Sequence, residues 1–293
     1  MKKLILHLFM ACALMGGFTA PLTALPQKTV FTVDHDDVIN TKGKFGITEC
    51  AKILLVVSKI AWHSPRGAAS LLWNWRAIYA RGQQEAQVTN GATNVISVLA
   101  QELKNEGYPD LTPYTEEITA ITINPTPIMP VIEKLQELKK QGYVIIGATN
   151  QDYYQNKAFR KKMAAQGVKL EELFDGVLVA YTTLKAQGLA KNRESVHELE
   201  PGIYMPTSAK GYKPNFEYFT ALKAVARKYA PKAKVFVHTD DKLIHIQGAQ
   251  KVKGFAKSLH FKLPEDKSAR RCTKAELLAT IAEWKASIEK LRG

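Results

Sequence analysis

Residues Val30 to Ile39 read VFTVDHDDVI. Val30, Phe31, Thr32 and Val33 have the β-branched and aromatic character of a buried strand, and they run straight into Asp34, His35, Asp36 and Asp37 before the chain turns apolar again. Three carboxylates within four residues raise one another's cost of ionisation. The stretch is therefore either a solvated loop or a place where negative charge holds something positive.

Further apolar runs follow the same plan. GYVIIGATN comes after the helical pattern PVIEKLQELKKQG, in which Val131, Leu135 and Leu138 share a face and Gly142 is a stop. LFDGVLVAY comes after a helix around Lys157 to Gln166, and AKVFVHTDD after NFEYFTALKAVARKYA, with Phe216, Phe219, Leu222, Val225 and Ala226 on one face. GFAKSLHF is a shorter fifth candidate. Strands alternating with helices predict an α/β fold: a three-layer α/β/α, Rossmann-like core built on a parallel sheet.

More than a hundred residues separate the first two strands, too many for one crossover. Residues 44–125 carry the helical signals ITECAKILLVVSKIAW and ATNVISVLAQELKNEG and end at the Pro-rich INPTPIMP. They predict an inserted helical cap, leaving residues 25–43 and 126–293 to the core. Within the cap, Trp62, His63, Arg66, Trp73, Trp75, Arg76 and Arg81 could reach a substrate, while its apolar stripes read as the cap's own core. At the far end, Thr273 and Glu276 form a capping box, and Leu277, Ile281, Trp284, Ile288 and Leu291 repeat at four and three, a helix expected to pack on the core.

The opening residues differ in kind. Lys2 and Lys3 precede LILHLFMACALMGGF, and small residues follow, the layout of a secretory signal peptide over residues 1–24 with cleavage after Ala24. The alternative, an uncleaved anchor, fits less well, since the run is short for a bilayer span and contains His7. The expectation is an exported protein, periplasmic or secreted, with no membrane span after signal removal. Phe9 and Met10 suit lipidation at Cys12 poorly. Removal of the leader leaves Cys50 and Cys272, either one disulfide or two inert thiols. The net charge of +14 includes Lys2 and Lys3 and no acid from the leader, so +12 remains, a surface that favours acidic partners. The cations are scattered and no nucleic-acid signature appears, so no nucleic-acid partner is expected.

In open parallel sheets the functional crevice lies at the carboxyl ends of the strands. Here those ends carry Asp34 and Asp36, then Thr149 and Asn150, then Asp240 and Asp241, with Lys213 in GYKPNFEYF ahead of the helix that leads into the last of them. On these motifs, FTVDHDDV, VIIGATN, KGYKP and VFVHTDD, the chain resembles the haloacid dehalogenase-like superfamily of phosphohydrolases from Lys28 to about Phe261. The insertion after the first motif resembles that family's helical cap of the first type. The resemblance implies a magnesium-dependent phosphomonoesterase acting on a small phosphorylated substrate.

The chemistry accounts for the residue types. A carboxylate can attack phosphorus and form an aspartyl phosphate, a role assigned to Asp34. A strand's period of two returns Asp36 to the same side, where it can protonate the leaving alkoxide and later activate water, and turns His35 away as a packing or surface residue. The resemblance implies magnesium held by the Asp34 carboxylate, the Asp36 main-chain carbonyl and Asp241, with Asp240 in support. Thr149 would bond a phosphoryl oxygen beside Asn150, and Lys213 would pair with nucleophile and phosphate. Lys210 competes for the lysine role, and Pro214 favours Lys213 because Pro suits a first helical turn. Ile244 and His245 stand where many relatives carry another acid or Asn. Asp36 argues against a dehalogenase, which lacks that second acid. A phosphomutase and a non-catalytic binding module are the alternatives. A zinc site lacks ligand spacing, and a P-loop is absent.

Overall fold

The computed structural model describes residues 29–43, 47–63, 112–182, 194–264 and 267–292, together with residues 65, 66, 69, 186 and 189. The expected signal peptide, Cys12, the helical stretch ATNVISVLAQELKNEG, and Trp73, Trp75, Arg76 and Arg81 lie outside the described residues, as do the side chains of Cys50 and His63.

The first strand is the middle of the molecule. β1 (Thr29–Val33) pairs in parallel with β4 (Val144–Ala148) on one side and β8 (Val235–Asp240) on the other. With β5 (Gly176–Leu178), β6 (Val196–Glu200), β7 (Ile203–Pro206) and β9 (Leu259–His260), they form a seven-stranded sheet in the order β6-β7-β5-β4-β1-β8-β9. Every neighbour is parallel except β6 with β7. The chain leaves β1 toward β4 and later returns to its other flank as β8, so the strand order switches beside β1. A crevice opens at such a switch, beyond the strands' carboxyl ends.

Alternation along β1 builds the layers. Phe31 and Val33 join Ile145 and Val237 in one apolar cluster with α3 (Met129–Lys140), α4 (Tyr153–Ala164) and α8 (Lys274–Arg292). Val30 joins Ile146 and Phe236 in a second, against α6 (Phe216–Tyr229) and α7 (Leu243–Gln250). Helices thus cover both faces, as parallel strands buried on two sides require. The predicted three-layer α/β/α architecture is borne out, with a mostly parallel sheet.

β2 (Asn40–Lys42) and β3 (Pro125–Pro127) pair antiparallel in a separate two-stranded sheet, so the chain leaves and re-enters the core side by side. Between them lie α1 (Ile47–His63) and α2 (Thr112–Thr122), which pack together, with α2 also against α4. Trp62, one of the residues expected to be able to reach a substrate, is 86% exposed.

Other differences have local causes. α4 begins at Tyr153, ahead of the expected start, because Asp152 and Gln155 form a reciprocal capping box. The β6-β7 hairpin, turning at Gly202 with φ of 78°, was not anticipated: VHELE alternates weakly and lies at an edge. α5 (Leu170–Leu173) and α7 were likewise unforeseen. Only Leu259 and His260 of GFAKSLHF join the sheet. The terminal helix matches its reading: Thr273 Oγ1 accepts from Glu276 N, Glu276 Oε2 accepts from Thr273 N, and Ile281, Trp284 and Ile288 are buried. Cys272 is a free thiol. Among the described residues no helix is long and apolar enough to cross a membrane.

Gly147 in β4 has no room for a side chain, since a Cβ there would sit 2.6 Å from His35 Nε2. Gly147→Ala is expected to lower stability by about 1–3 kcal/mol in urea unfolding, because the ring it would strike is held between two others; an unchanged midpoint would contradict this packing.

Candidate active site

The strand ends meet around a cavity of about 520 Å³ whose walls include Asp34, Asp36, Asp37, Thr149, Asn150, Gln151, Lys213 and Asp241. Of the core residues expected from the sequence, all but Asp240 line it directly, whereas Trp62 and Arg66 of the expected cap do not. Asp240 lies behind the wall with no exposed surface.

Asp34 follows β1 and is tied to β8 by its amide, which donates to the Thr239 carbonyl at 2.9 Å. Its Oδ1 accepts from the His35 amide at 2.8 Å and pairs with Lys213 Nζ at 2.8 Å. Lys213 is buried completely, and its ammonium also reaches Asp240 Oδ2 at 2.6 Å and the Ala148 carbonyl at 3.2 Å. Asn150 holds the Lys213 main chain from both sides: Oδ1 accepts its N–H at 2.7 Å and Nδ2 donates to its carbonyl at 3.2 Å. Lys210, the competing lysine, is exposed. The reason offered for Lys213 needs correction. Pro214 is not in the first helical turn, because it precedes Asn215, which caps α6. The backbone clamp from Asn150 is what aims this lysine inward.

The two acids at the end of β8 divide by the strand's alternation. Asp240 Oδ1 accepts from His245 Nδ1 at 2.9 Å and the Lys242 amide at 3.0 Å, while Oδ2 accepts from His238 Nε2 at 3.2 Å besides Lys213. Burial would raise its pKa, but Lys213 and the two imidazoles prevail and hold it well below the usual range. Burial pushes His245 down to about 4 and lowers His238 as well, so both are neutral donors. The His238 tautomer follows, because its Nδ1 is left to accept from Thr32 Oγ1 at 3.0 Å. Asp241 faces the cavity instead, and burial, then the Asp240 charge, push its carboxyl up to about 7. Asp34 is raised too, by burial first and then by Asp240, with Lys213 pulling the other way.

Two cavity carboxyls driven toward their protonated forms mark a site short of positive charge. Carboxylate and carbonyl oxygens are the donors magnesium takes. Asp34, Asp240 and His245 each bring one ligand atom to within 4.8 Å of the others, but both oxygens of Asp240 are already engaged. Asp34, Asp36 and Asp241 on the cavity wall, with Asp240 behind them, thus offer the kind of oxygen donors a divalent cation takes.

His35 does point away. Its ring stacks between Phe159, centroids 5.1 Å apart, and Phe174, 5.3 Å apart. Asp37, with φ of 60°, accepts from the Ala269 amide at 3.0 Å and so ties the turn to the carboxyl-terminal segment. The sequence reading missed Gln151, Tyr218, His238 and His245. Tyr218 donates toward the Thr149 and Leu178 carbonyls at 3.0 Å each. Gln151, directly after Thr149 and Asn150 at a strand end, has a positional signal.

No family model matches the sequence, and no curated protein does. Solved structures similar to it include a 2-haloacid dehalogenase of Pseudomonas syringae pv. Tomato, 15% identical over 88% of this chain and 99% of that one, with a TM-score of 0.45. A HAD family enzyme of Bacteroides thetaiotaomicron, solved as a magnesium complex, is 13% identical over 84% of this chain and 100% of its own, at 0.42. The L-2-haloacid dehalogenase of Xanthobacter autotrophicus is 14% identical over 87% of each chain, at 0.38. At these values neither the fold nor the site leans on the likeness: the fold stands on its sheet order and the site on its own distances.

The raised Asp241 carboxyl has a measurable consequence in metal-free protein. Between its ordinary value of 3.8 and about 7 the unfolded chain ionises while the folded site keeps the proton, so stability falls as pH rises through that window. Asp241→Asn removes this contribution. In chelator, the melting temperature of wild type relative to D241N is expected to drop between pH 4 and 7 and then level off; a gap independent of pH would contradict it.

Proposed function

We propose that this chain is a magnesium-dependent phosphohydrolase of the haloacid dehalogenase-like kind, cleaving small phosphomonoesters through an aspartyl phosphate after export from the cell. The observation that carries the reading is the Lys213 ammonium 2.8 Å from Asp34 Oδ1 and 2.6 Å from Asp240, with Asp36 and Asp241 on the same cavity. Both hydrogen bonds on Asp34 named above fall on Oδ1, so Oδ2 carries neither.

In the first step an Asp34 oxygen bonds to phosphorus as the ester P–O bond breaks, and Asp36 gives its proton to the departing alkoxide oxygen. In the second, water bonds to phosphorus, Asp36 takes the water proton, and the acyl-phosphate bond breaks to return Asp34 as carboxylate with inorganic phosphate. Thr149 contributes a hydroxyl with a set direction: its Oγ1 accepts from the Gln151 amide at 3.0 Å, which leaves its proton for a phosphoryl oxygen. Lys213 stabilises the charge on the nucleophile side. A bound magnesium ion would neutralise the clustered acids and the phosphoryl oxygens.

A generic aryl phosphate should be hydrolysed with magnesium and not in chelator. Asp34→Asn keeps the size of the side chain and should reduce turnover on the order of 10⁴-fold or more with an unchanged circular dichroism spectrum. Retained turnover in D34N would move the nucleophile elsewhere.

A further inference from the structure

Asp36 is not left to find its own orientation. Gln151, 6% exposed, donates from Nε2 to Asp36 Oδ1 at 3.1 Å. Its main chain is pinned twice, by its N–H on Thr149 Oγ1 and by its carbonyl, which accepts from the Ala180 amide at 2.9 Å. A glutamine amide can be turned over, which would face its oxygen to the carboxylate. Here the carboxylate sets the orientation, and the far side accommodates it. Asn156 Nδ2 lies 3.5 Å from Gln151 Oε1 and 3.4 Å from His35 Nδ1, and Asn156 has no exposed surface. The His35 ring is fixed by the stack of Phe159 and Phe174. As a carboxylate Asp36 offers only acceptor oxygens, so the Gln151 NH₂ faces it and Oε1 is left toward Asn156 Nδ2.

We propose that Gln151 is a positioning residue for Asp36, holding the carboxyl in the orientation that serves the leaving-group oxygen and so suiting the site to phosphomonoesters of aliphatic alcohols. The inference rests on the phosphohydrolase reading. An N–H on Oδ1 directs the transferable proton to Oδ2; Gln151 itself neither gains nor loses a proton. Alkoxides are poor leaving groups and depend on that proton, whereas an activated phenolate departs without it. General acid catalysis is worth roughly 10²–10⁴-fold where it is needed. A residue that merely supports the fold would change both substrates alike.

The test compares an alkyl phosphate, glycerol phosphate, with p-nitrophenyl phosphate, both with magnesium, in wild type and Gln151→Leu. The ratio of kcat for alkyl over aryl ester is expected to fall about fivefold or more, and any smaller change overturns the inference. Should Q151L not fold, Gln151→Met, which keeps an unbranched chain and removes the amide, reads the same ratio. Wild type active on both esters with the ratio unchanged in the variant overturns the role of Gln151 alone. Wild type inactive on both removes the phosphohydrolase reading and this inference with it.

Discussion

One buried ammonium holds the centre of this molecule together. Lys213 sits without solvent exposure between Asp34, at the end of β1, and Asp240, at the end of β8. None of the three groups could be buried charged alone, because removing an isolated ion from water costs several kcal/mol even after relaxation. Together they offset that penalty, and burial of Lys213 is outweighed by the two carboxylates, which raise its pKa. The pairing fixes the loop before α6 to the ends of two central strands. Asn150, at the end of β4, closes the arrangement by gripping the lysine main chain.

From that anchor the crowded acids sort into separate tasks. Asp34 shares the ammonium and faces the cavity, Asp36 is held by Gln151, and Asp37, also on the cavity wall, ties the turn to Ala269. Asp240 and Asp241 are neighbours in sequence, yet the strand's alternation sends one into a shell of Lys213, His238 and His245 and the other to the cavity. Repulsion among them is thus divided. Asp240 is satisfied by the protein, whereas Asp34 and Asp241 keep an unmet demand for positive charge, which is the property a metal and a phosphate together would use.

What the sequence disclosed follows the range of the physics involved. Period-two and period-3.6 patterns are local, so the layers, the terminal helix with its Thr273–Glu276 box, and the shared side of Asp34 and Asp36 could all be read from the chain. The network behind the acids could not, because its partners are distant: Thr32 meets His238 across 206 positions, and Gln151 meets Asp36 across 115. His245 looked like a gap where an acid belonged, and only the fold shows it donating to Asp240. The Pro214 argument chose the right lysine for burial on the wrong ground, since helix propensity says nothing of a residue ahead of the cap.

The central claim is that Asp34, held by Lys213, becomes covalently phosphorylated. Acid-quenching the enzyme during turnover of a phosphomonoester with magnesium, reducing with borohydride and mapping peptides by mass spectrometry tests it directly. The account predicts conversion of Asp34 to homoserine, absent in chelator. Turnover with no modified aspartate, or modification at any other acid, would contradict it.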